Sequence, residues 1–503
     1  MPQSLIKSAP LRCPKDFNLA QHMLEGGGAA PDTVAVEVLS TNGVTRWTRA
    51  ELNRAILGFA AAVQDRGLPP GARVILRLGD TIGFPLAFFG TIAAGYVPVP
   101  VSAMLTDVEL APMLRGLAPA LVLADQGLSV PDLGVPIMRD DIVEVAQAFA
   151  PLPAPTQSAA DDLAYILFTS GSGGRAKAVR HAHRAGWARK MMWDGWYGLT
   201  PRDRVLHAGA FNWSYTLGTG LTDPVAAGAT ALLLEGDRSP VRILAALRQS
   251  RATIFAAVPG VYRKILALGA LPNLPDLRHG LSAGEALPPT LRAEWQRRLG
   301  IDIHEALGMT EVSTFLSSSP THPAPEGTQG FAQPGRTLAV LDDDGIPCPR
   351  GTPGLLAIGR DDPGLMLGYD DVSLADDPWF VTSDLVEMRE DGAFCYHGRR
   401  DDVMTAQGYR VSPTEVEAVL ERHSTVTEAA VCEVEVRPGL RLIAAFIRGN
   451  VTSTELSEHC TTHLARYKWP RHFQRVDDLP RGATGKLLRR ALPALYDPDR
   501  SLP

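Results

Sequence analysis

Hydrophobic and polar positions alternate along the first 330 residues in two periods, one typical of helices and one typical of buried strands. Thr48-Arg49-Ala50-Glu51 forms a capping box, and apolar residues then recur at helical spacing from Leu52 to Val63. Short apolar runs such as ALVLAD, AYILFTS and TIFAAVP predict strands, and PVRILAALRQS and PTLRAEWQRRLG predict helices. Strands that alternate with helices predict a parallel sheet with helices packed over its faces.

The pattern changes after about residue 335, where shorter apolar runs are separated by tight turns. The last 100 or so residues predict the order β-β-α-β-β-α-β, with a helix capped by Ser412 and Glu415. This size is typical of an independent α+β domain. We therefore predict an α/β protein with a large N-terminal domain of layered sheets and flanking helices, residues 1–400, joined by a hinge to a small α+β domain, residues 401–503.

The uncharged segment from Ile82 to Leu105 has the length of a membrane span, but proline and glycine interrupt it. We interpret it as a buried helix that ends near Gly95, followed by a strand, and expect no membrane span. The formal net charge of −6 argues against general nucleic-acid binding. Five cysteines without CxxC spacing and a start without a signal peptide favour a reducing, cytoplasmic location.

The stretch FTSGSGGRAKA, residues 168–178, is a glycine-rich loop of the kind that binds phosphate through backbone N–H groups. A Walker A loop fits the spacing from Gly171 to Lys177, but Ala176 and Ala178 replace its second glycine and its hydroxyl. A dinucleotide fingerprint, and with it a nicotinamide-dependent oxidoreductase, fits the glycines but not the basic, aromatic sequence that follows. A surface loop without a ligand is the third alternative.

The loop also resembles the signature of the adenylate-forming superfamily, which includes acyl- and aryl-CoA ligases. The matching residues are Thr169, Ser170, Gly171, Ser172, Gly174 and Lys177. Gly173, Ala176 and Ala178 depart from the family pattern, and the sequence does not show what these departures change. Further motifs in the family's order extend the resemblance over nearly the whole chain.

These motifs imply a nucleotide site. SAGEALP resembles the segment that lines the adenine, and EALGMTE resembles the motif in which Thr310 contacts the α-phosphate and Glu311 holds Mg²⁺. TSD and GRRDD resemble the ribose-binding motifs, although an isolated RRDD is usually a solvated turn. The implied nucleotide-binding residues are Gly284, Glu285, Ala286, Glu305, Ala306, Leu307, Asp384 and Arg399. Leu307 replaces the usual aromatic residue, which predicts weaker stacking on the base.

The resemblance also implies a moving C-terminal domain. Asp401 would be the hinge, and Gly408 and Arg410 would serve the second half-reaction, in which Gly408 leaves room for a pantetheine arm. Lys486, in the loop RGATGK, would be the lysine that bridges the acid's carboxylate and the phosphate. The implied catalytic residues are therefore Lys486, Thr310 and Glu311, and the implied cofactors are ATP, Mg²⁺ and coenzyme A.

The acid pocket is expected around FNWSY, where amino-acid-activating relatives carry an aspartate. Asn212 cannot pair with an α-ammonium group, which argues against an amino acid. The expected wall residues are Trp213, Tyr215, Gly308, Met309 and Phe315. The alternative for some of these residues is a purely structural position in the hydrophobic core. The run is most similar to benzoate-type aryl-CoA ligases.

The resemblance leaves several points of function open. A medium-chain fatty acyl-CoA synthetase and an enzyme that loads a carrier protein remain alternatives to an aryl-CoA ligase. The absence of a fused carrier domain favours free CoA over a carrier-protein thiol. The exact acid, the pathway and the oligomeric state, including a homodimer, are not given by the sequence.

Overall fold

The computed structural model describes residues 2–169, 176–370, 372–402, 404–406, 409–437, 440–464, 466–482 and 485–502. The predicted site residues Ser170, Gly171, Ser172, Gly174 and Gly408 lie outside the described residues. Asp401 and Arg410 are described by their backbone alone.

A nine-stranded sheet forms the centre of the N-terminal part. Its strands lie in the order Phe331–Ala332, Ser313–Ser317, Ile303–Met309, His279–Ala283, Ile254–Ala257, Arg204–His207, Thr230–Leu234, Val34–Ser40 and Gly43–Thr48. The six inner strands are parallel, and the edge strands are antiparallel. Parallel strands need crossover connections, which explains why helices alternate with these strands along the chain. The predicted parallel sheet is confirmed here.

The crossover helices begin with proline at the first helical position, where no intrahelical N–H bond is lost. They are Pro240–Gln249, Pro259–Leu266 and Pro289–Leu299. Further helices lie at Leu19–Glu25, Asp107–Arg115, Ile142–Ala148, Arg184–Ala188, Lys190–Met192, Ser214–Leu217 and Asp223–Ala226, with π-helical turns at Trp193–Tyr197 and Gly218–Thr222.

A four-stranded parallel sheet packs beside the first, in the order Val97–Pro100, Arg73–Arg77, Leu121–Ala124 and Ile137–Met138. The helix Gly83–Ala93, all of whose residues are buried, packs on this sheet, and the capped helix Arg49–Gln64 packs against that helix. Gly90 allows their close approach, because a Cβ there would lie 2.7 Å from a Phe59 ring carbon. The uncharged segment is thus a core helix followed by a strand, as predicted. Among the described residues, no helix is both long enough and apolar enough to cross a bilayer.

The strand before the glycine-rich loop differs from the expectation of a parallel sheet. Leu163–Thr169 pairs antiparallel with Lys177–Ala182, and Gly368–Tyr369 and Val372–Ser373 complete this small sheet. The expectation was wrong for this strand because hairpin pairing is set by the return of the chain after the loop, which apolar periodicity does not report. The pairing brings Thr169 opposite Lys177, at the two ends of the loop.

A five-stranded antiparallel sheet precedes the C-terminal part. Its order is Leu5–Ile6, Leu338–Leu341, Gly354–Gly359, Trp379–Met388 and Phe394–Arg399. The short turn Arg400–Asp402 follows directly. The hinge at Asp401 and the domain boundary at residue 400 stay predictions.

The C-terminal part has the predicted element order and its own hydrophobic core. The elements are Met404–Ala406, Tyr409–Val411, Pro413–Leu420, Val426–Arg437, Leu440–Gly449, Ser453–His463 and His472–Arg475, with a 3₁₀ segment at Arg489–Leu495. Ser412 caps the first helix by accepting a hydrogen bond from the Glu415 backbone, as the capping signal predicted.

Candidate active site

The glycine-rich loop ends beside the carboxylate that the sequence assigns to a metal. The phenolic oxygen of Tyr369 donates a hydrogen bond to Glu311 Oε1 at 2.7 Å. Lys177 Nζ lies 4.7 Å from the centre of the Tyr369 ring. Burial and the Glu311 carboxylate raise the pKa of Tyr369, so the phenol stays a donor. Sequence reasoning missed Tyr369, because only its pairing opposite Val179 brings it to the loop.

Thr310 and Glu311 occupy the turn between the strands Ile303–Met309 and Ser313–Ser317. Gly308 makes this turn possible, because a Cβ there would lie 2.6 Å from the carbonyl oxygen of Ser313. The Glu311 carbonyl accepts a hydrogen bond from the Met366 N–H at 2.8 Å, which fixes the turn from outside. The hydroxyl of Thr310 lies 3.4 Å from that of Ser214, which comes from the predicted acid-binding segment.

Asp384 and Arg399 face each other across neighbouring strands, as a shared ribose site requires. Tyr396 donates a long hydrogen bond of 3.4 Å to Asp384 Oδ1. Burial raises the pKa of Asp384, while the positive charges of Arg399 and Lys486 oppose that rise. Asp384 and Lys486 are thus close enough to interact, although they are 102 residues apart in sequence.

The predicted adenine segment lies against an indole ring. Gly284 has a φ of +95°, and a Cβ there would lie 3.0 Å from a carbon of Trp213. Glycine therefore supplies both the backbone conformation and the space for the ring. The backbone N–H of Leu287 donates a 2.8 Å hydrogen bond to Glu305 Oε1. Burial raises the pKa of Glu305 to about 7.

The predicted acid-pocket residues divide into two groups. Trp213 and Tyr215 are perpendicular, with ring centres 5.3 Å apart, and Trp213 and Met309 are partly exposed. The Tyr215 hydroxyl instead donates to the Leu281 carbonyl within the core. Phe315 has no exposed surface and packs among core residues. A role for Phe315 in the wall of the pocket stays a prediction.

The loop that carries Lys486 is attached to the predicted adenine segment. Arg481 Nη1 donates to Glu285 Oε1 at 3.1 Å, and the backbone N–H of Leu487 donates to the same oxygen at 3.1 Å. Burial raises the pKa of Glu285, and the charges of Arg481 and Lys486 oppose this. Lys486, between these contacts, is exposed toward solvent.

A second carboxylate strengthens this attachment. Glu428, on the C-terminal strand Val426–Arg437, accepts from Arg263 Nη1 of the N-terminal part at 2.8 Å and from Arg448 at 2.9 Å. Arg481 also donates to Glu428 and thereby joins it to Glu285. We call Arg263, Glu285, Glu428 and Arg481 the interdomain clasp. Sequence reasoning missed its two arginines and Glu428, because their partners are far away along the chain.

The raised pKa of Glu305 predicts a pH-dependent stability. Because the folded pKa of about 7 exceeds the ordinary value of 4.5, the folded state holds a proton that the unfolded state releases. The free energy of unfolding should therefore fall by up to about 3 kcal/mol as pH rises through this window. Glu305→Gln keeps an acceptor for Leu287 and should lose this part of the pH dependence. Thermal unfolding from pH 5 to pH 8 measures the difference.

The matched control for this comparison is Glu294→Gln, which removes a partly exposed carboxylate whose pKa Arg297 lowers. Its melting temperature should run parallel to that of the unaltered protein above pH 5. Parallel curves for Glu305→Gln as well would contradict a proton on Glu305 in the folded state.

The clasp predicts how firmly the Lys486 loop is held. Glu428→Gln removes the charge that faces Arg263 and Arg481, and breaking such a buried pair is strongly destabilising. We expect hydrogen exchange at the Leu487 amide, followed by mass spectrometry of overlapping peptides, to accelerate about tenfold or more. Glu435→Gln, at an exposed position of the same strand, is the control and should leave this rate unchanged. An unchanged rate in Glu428→Gln would show that the clasp does not hold the loop.

Comparisons with known proteins agree with this geometry. Residues 26–370 match the family model described as AMP-binding enzyme, and residues 415–486 match the AMP-binding enzyme C-terminal domain. The chain is 33% identical to a benzoate--CoA ligase of Thauera aromatica, over 84% of this chain and 86% of that one. It is 27% identical to the mitochondrial acyl-coenzyme A synthetase ACSM3 of Pongo abelii, over 97% and 91% of the two chains.

Solved structures of acid–CoA ligases also superpose on this chain over nearly its whole length. The benzoate CoA ligase from Burkholderia xenovorans LB400 superposes with a TM-score of 0.84 at 30% identity, covering 95% of this chain and 99% of that one. The anthranilate CoA ligase AuaEII in complex with anthranoyl-AMP superposes with a TM-score of 0.88 at 25% identity, covering 96% and 98%. ATP and CoA are substrates of this family. The chain therefore belongs to the AMP-binding enzyme family and is an AMP-forming acid–CoA ligase.

Proposed function

We propose that this protein converts a benzoate-like aryl acid into its CoA thioester through an acyl-adenylate. The observation that carries the proposal is the attachment of the Lys486 loop to Glu285, in the segment assigned to adenine, with Lys486 close to Asp384. This arrangement supports a role for Lys486 at the point where the acid's carboxylate and a nucleotide phosphate would meet. The indole of Trp213 beside Gly284 supports a flat, aromatic acid.

In the first half-reaction, a carboxylate oxygen of the acid attacks the α-phosphorus of ATP, and pyrophosphate leaves. Two anions must approach each other, so the barrier depends on positive charge and donors that are fixed in advance. Lys486 would neutralise the carboxylate and the α-phosphate, and Thr310 would donate a hydrogen bond to the phosphate. Lys177 would face the pyrophosphate end, and Asp384 and Arg399 would hold the ribose and thereby fix the α-phosphorus in line.

The residues around Glu311 suit Mg²⁺, which prefers one or two carboxylates combined with phosphate and water oxygens. Glu311 would be the protein ligand, and Tyr369 would orient its carboxylate through the 2.7 Å hydrogen bond. When bound, Mg²⁺ supplies positive charge that offsets the phosphate oxygens.

In the second half-reaction, the CoA thiolate attacks the acyl carbon, the thioester forms and AMP leaves. Gly408 and Arg410 are the residues assigned to this step, and they lie on the same C-terminal part as Lys486. The clasp would have to open before that part presents a different surface to the adenylate.

The role of Lys486 is tested by separating the half-reactions. Lys486→Ala should slow acid-dependent ATP–pyrophosphate exchange by a factor of about 10²–10⁴, because the group acts where charge develops. The variant should keep much of its ability to turn a supplied acyl-adenylate and CoA into thioester. Lys264→Ala, an exposed lysine on the helix Pro259–Leu266, is the control and should change neither rate. Equal losses in both half-reactions of Lys486→Ala would contradict a role in adenylation alone.

The substrate class is tested with a panel of acids in the exchange assay. Benzoate and substituted benzoates should support exchange, and proteinogenic amino acids should stay at background because Asn212 lacks the charge to pair with an ammonium group. Aliphatic acids from C4 to C10 test the fatty acyl alternative, to which the similarity with ACSM3 points. Exchange with aliphatic acids and none with aryl acids would overturn the proposed substrate.

A further inference from the structure

Ser313 closes the turn that carries Thr310 and Glu311, and its backbone has a conformation that serine rarely adopts. Met309 and Ser313 pair across the end of the hairpin, so that three residues form the loop between them. The Val312 N–H donates to the Met309 carbonyl at 3.3 Å, and Ser313 follows with a φ of +76°. A three-residue hairpin loop usually ends in a left-handed residue of this kind, and glycine takes that position without steric cost. The chain therefore has a residue with a Cβ where the turn favours glycine.

The hydroxyl of Ser313 accepts a hydrogen bond from a buried guanidinium. Arg189 Nη1 donates to Ser313 Oγ at 2.6 Å. The same side chain donates through Nε and Nη2 to the two carboxylate oxygens of Asp223, both at 2.7 Å. The side chain of Asp223 is 2% exposed and that of Arg189 is 10% exposed. A hydrogen bond from a charged donor is stronger than one between neutral groups, so this bond opposes relaxation of the Ser313 backbone.

The Arg189 side chain is itself held in place. Burial alone would lower its pKa, but Asp223 and Tyr197 raise it above the ordinary value, so the guanidinium stays charged. Tyr197 also donates to Asp223 Oδ2 at 2.7 Å. Gly218 leaves the space that the guanidinium occupies, since a Cβ there would overlap it. These contacts orient the guanidinium so that Nη1 faces Ser313.

Further contacts fix the backbone on both sides of Ser313. The Thr314 carbonyl accepts a 2.8 Å hydrogen bond from Arg336, whose side chain has no exposed surface. Burial lowers the pKa of His181 to about 3, and a hydrogen bond to the Thr310 backbone opposes this, so a neutral imidazole also contacts the turn. An unfavourable backbone conformation persists where the surrounding structure fixes it, and residues in such conformations cluster at functional sites.

We propose that Arg189 is a positioning residue for the first half-reaction, because through the Ser313 hydroxyl it holds the turn in the conformation that directs Thr310 toward the nucleotide. The inference rests on the proposed function, which assigns the phosphate contact to Thr310. With its charge paired to Asp223, Arg189 itself would touch neither the acid nor ATP. A displacement of about 1 Å in a reacting group can lower a rate about 100-fold, so a small movement of this turn should be visible in kcat.

The first test compares Ser313→Ala with Ser313→Gly in ATP–pyrophosphate exchange, with the acid that gives the fastest exchange in the unaltered protein. Alanine keeps the Cβ but loses the hydroxyl, so the turn should relax. The kcat should then fall about tenfold or more, while the KM for ATP changes about threefold or less. Glycine also loses the hydroxyl, but it adopts the left-handed conformation without support, and its kcat should stay within about threefold of the unaltered value. Equal losses in the two variants, or no loss in either, would overturn the inference.

Thermal unfolding checks the backbone conformation independently of activity. Alanine is strained at a left-handed position, whereas at ordinary backbone positions glycine is the less stable of the two residues. The melting temperature of Ser313→Gly should therefore equal or exceed that of Ser313→Ala, and the reverse order would overturn the inference. Ser129 is the matched control, because it is exposed, has no positive φ and donates its hydroxyl to Asp107. Its alanine and glycine variants should both leave kcat unchanged, and Ser129→Gly should not melt above Ser129→Ala.

A double-mutant cycle assigns the effect to Arg189. Arg189→Lys keeps a positive charge opposite Asp223 but lacks the planar fork that reaches Asp223 and Ser313 together, so kcat should fall about tenfold or more. In the Ser313→Gly protein, the same change should lower kcat about threefold or less, because the turn no longer depends on the guanidinium. An equal loss in both backgrounds would show a general role of Arg189 in the core and would overturn the inference.

The design separates this inference from the proposed function. Because the acid is chosen by the exchange of the unaltered protein, a preference for fatty acids would overturn the aryl substrate and leave the test of Arg189 intact. Lack of exchange with every acid would contradict the acyl-adenylate and with it both proposals. Should Arg189→Lys fail to fold, the two Ser313 variants still decide, since a loss in the alanine variant that the glycine variant restores supports the inference and equal values overturn it.

Discussion

The arrangement of the site depends on one electrostatic contact, the bridge that Arg481 makes between Glu285 and Glu428. Glu285 belongs to the segment assigned to adenine, and Glu428 belongs to the C-terminal sheet. Burial alone would raise the pKa of Glu428, but Arg263, Arg448 and Arg481 together lower it. Since each carboxylate would be costly to bury alone, the charges favour the state in which the two parts are joined. Lys486 follows Arg481 by five residues and is positioned by that state.

The same contact favours only one of the two arrangements that the two proposed half-reactions would require. In the proposed mechanism, a lysine held at the nucleotide would favour attack on ATP, whereas thioester formation would require a different surface of the C-terminal part at the site. An ion-pair clasp suits an exchange between two states, because its arginines and carboxylates can be rehydrated when it opens, unlike a large apolar interface. The hairpin that carries Lys177 lies within the N-terminal part together with Tyr369 and Glu311, so the proposed exchange would not have to move it.

The sequence predicts those parts of the fold whose signals are local. The capping box at Thr48, the buried helix from Gly83 and the order of elements after residue 400 follow from periodicity, caps and turns. Among the residues assigned by motif, Asp384 pairs with Arg399 across two strands, and the charge of Lys486 opposes the burial that raises the pKa of both Asp384 and Glu285. Their roles in the site stay predictions. Local patterns cannot report pairing between distant segments, which is why the antiparallel return after the glycine-rich loop was not predicted.

Contacts made by residues outside any motif were missed for the same reason. Tyr369 reaches the glycine-rich loop because its strand pairs with Lys177–Ala182. Arg263 bonds to Glu428, which is 165 residues further along the chain. In the sequence, His181 and Arg189 belong to a basic, aromatic run that does not predict their burial. In the structure both side chains are buried, and Gly218 leaves room for the Arg189 guanidinium. Phe315 illustrates the converse, because its position near a catalytic motif predicts a pocket wall whereas its side chain is fully buried among core residues, and its role stays a prediction.

The most direct test of the account follows the oxygen atoms of the acid. Benzoate labelled with ¹⁸O in both carboxylate oxygens is incubated with the full-length protein, ATP, Mg²⁺ and CoA, and AMP, pyrophosphate and the thioester are analysed by mass spectrometry. Attack of the carboxylate on the α-phosphorus predicts one ¹⁸O in AMP, one in the thioester carbonyl and none in pyrophosphate. AMP without label, or label in a phosphate released from the other end of ATP, would contradict an acyl-adenylate and with it the function assigned to Lys486.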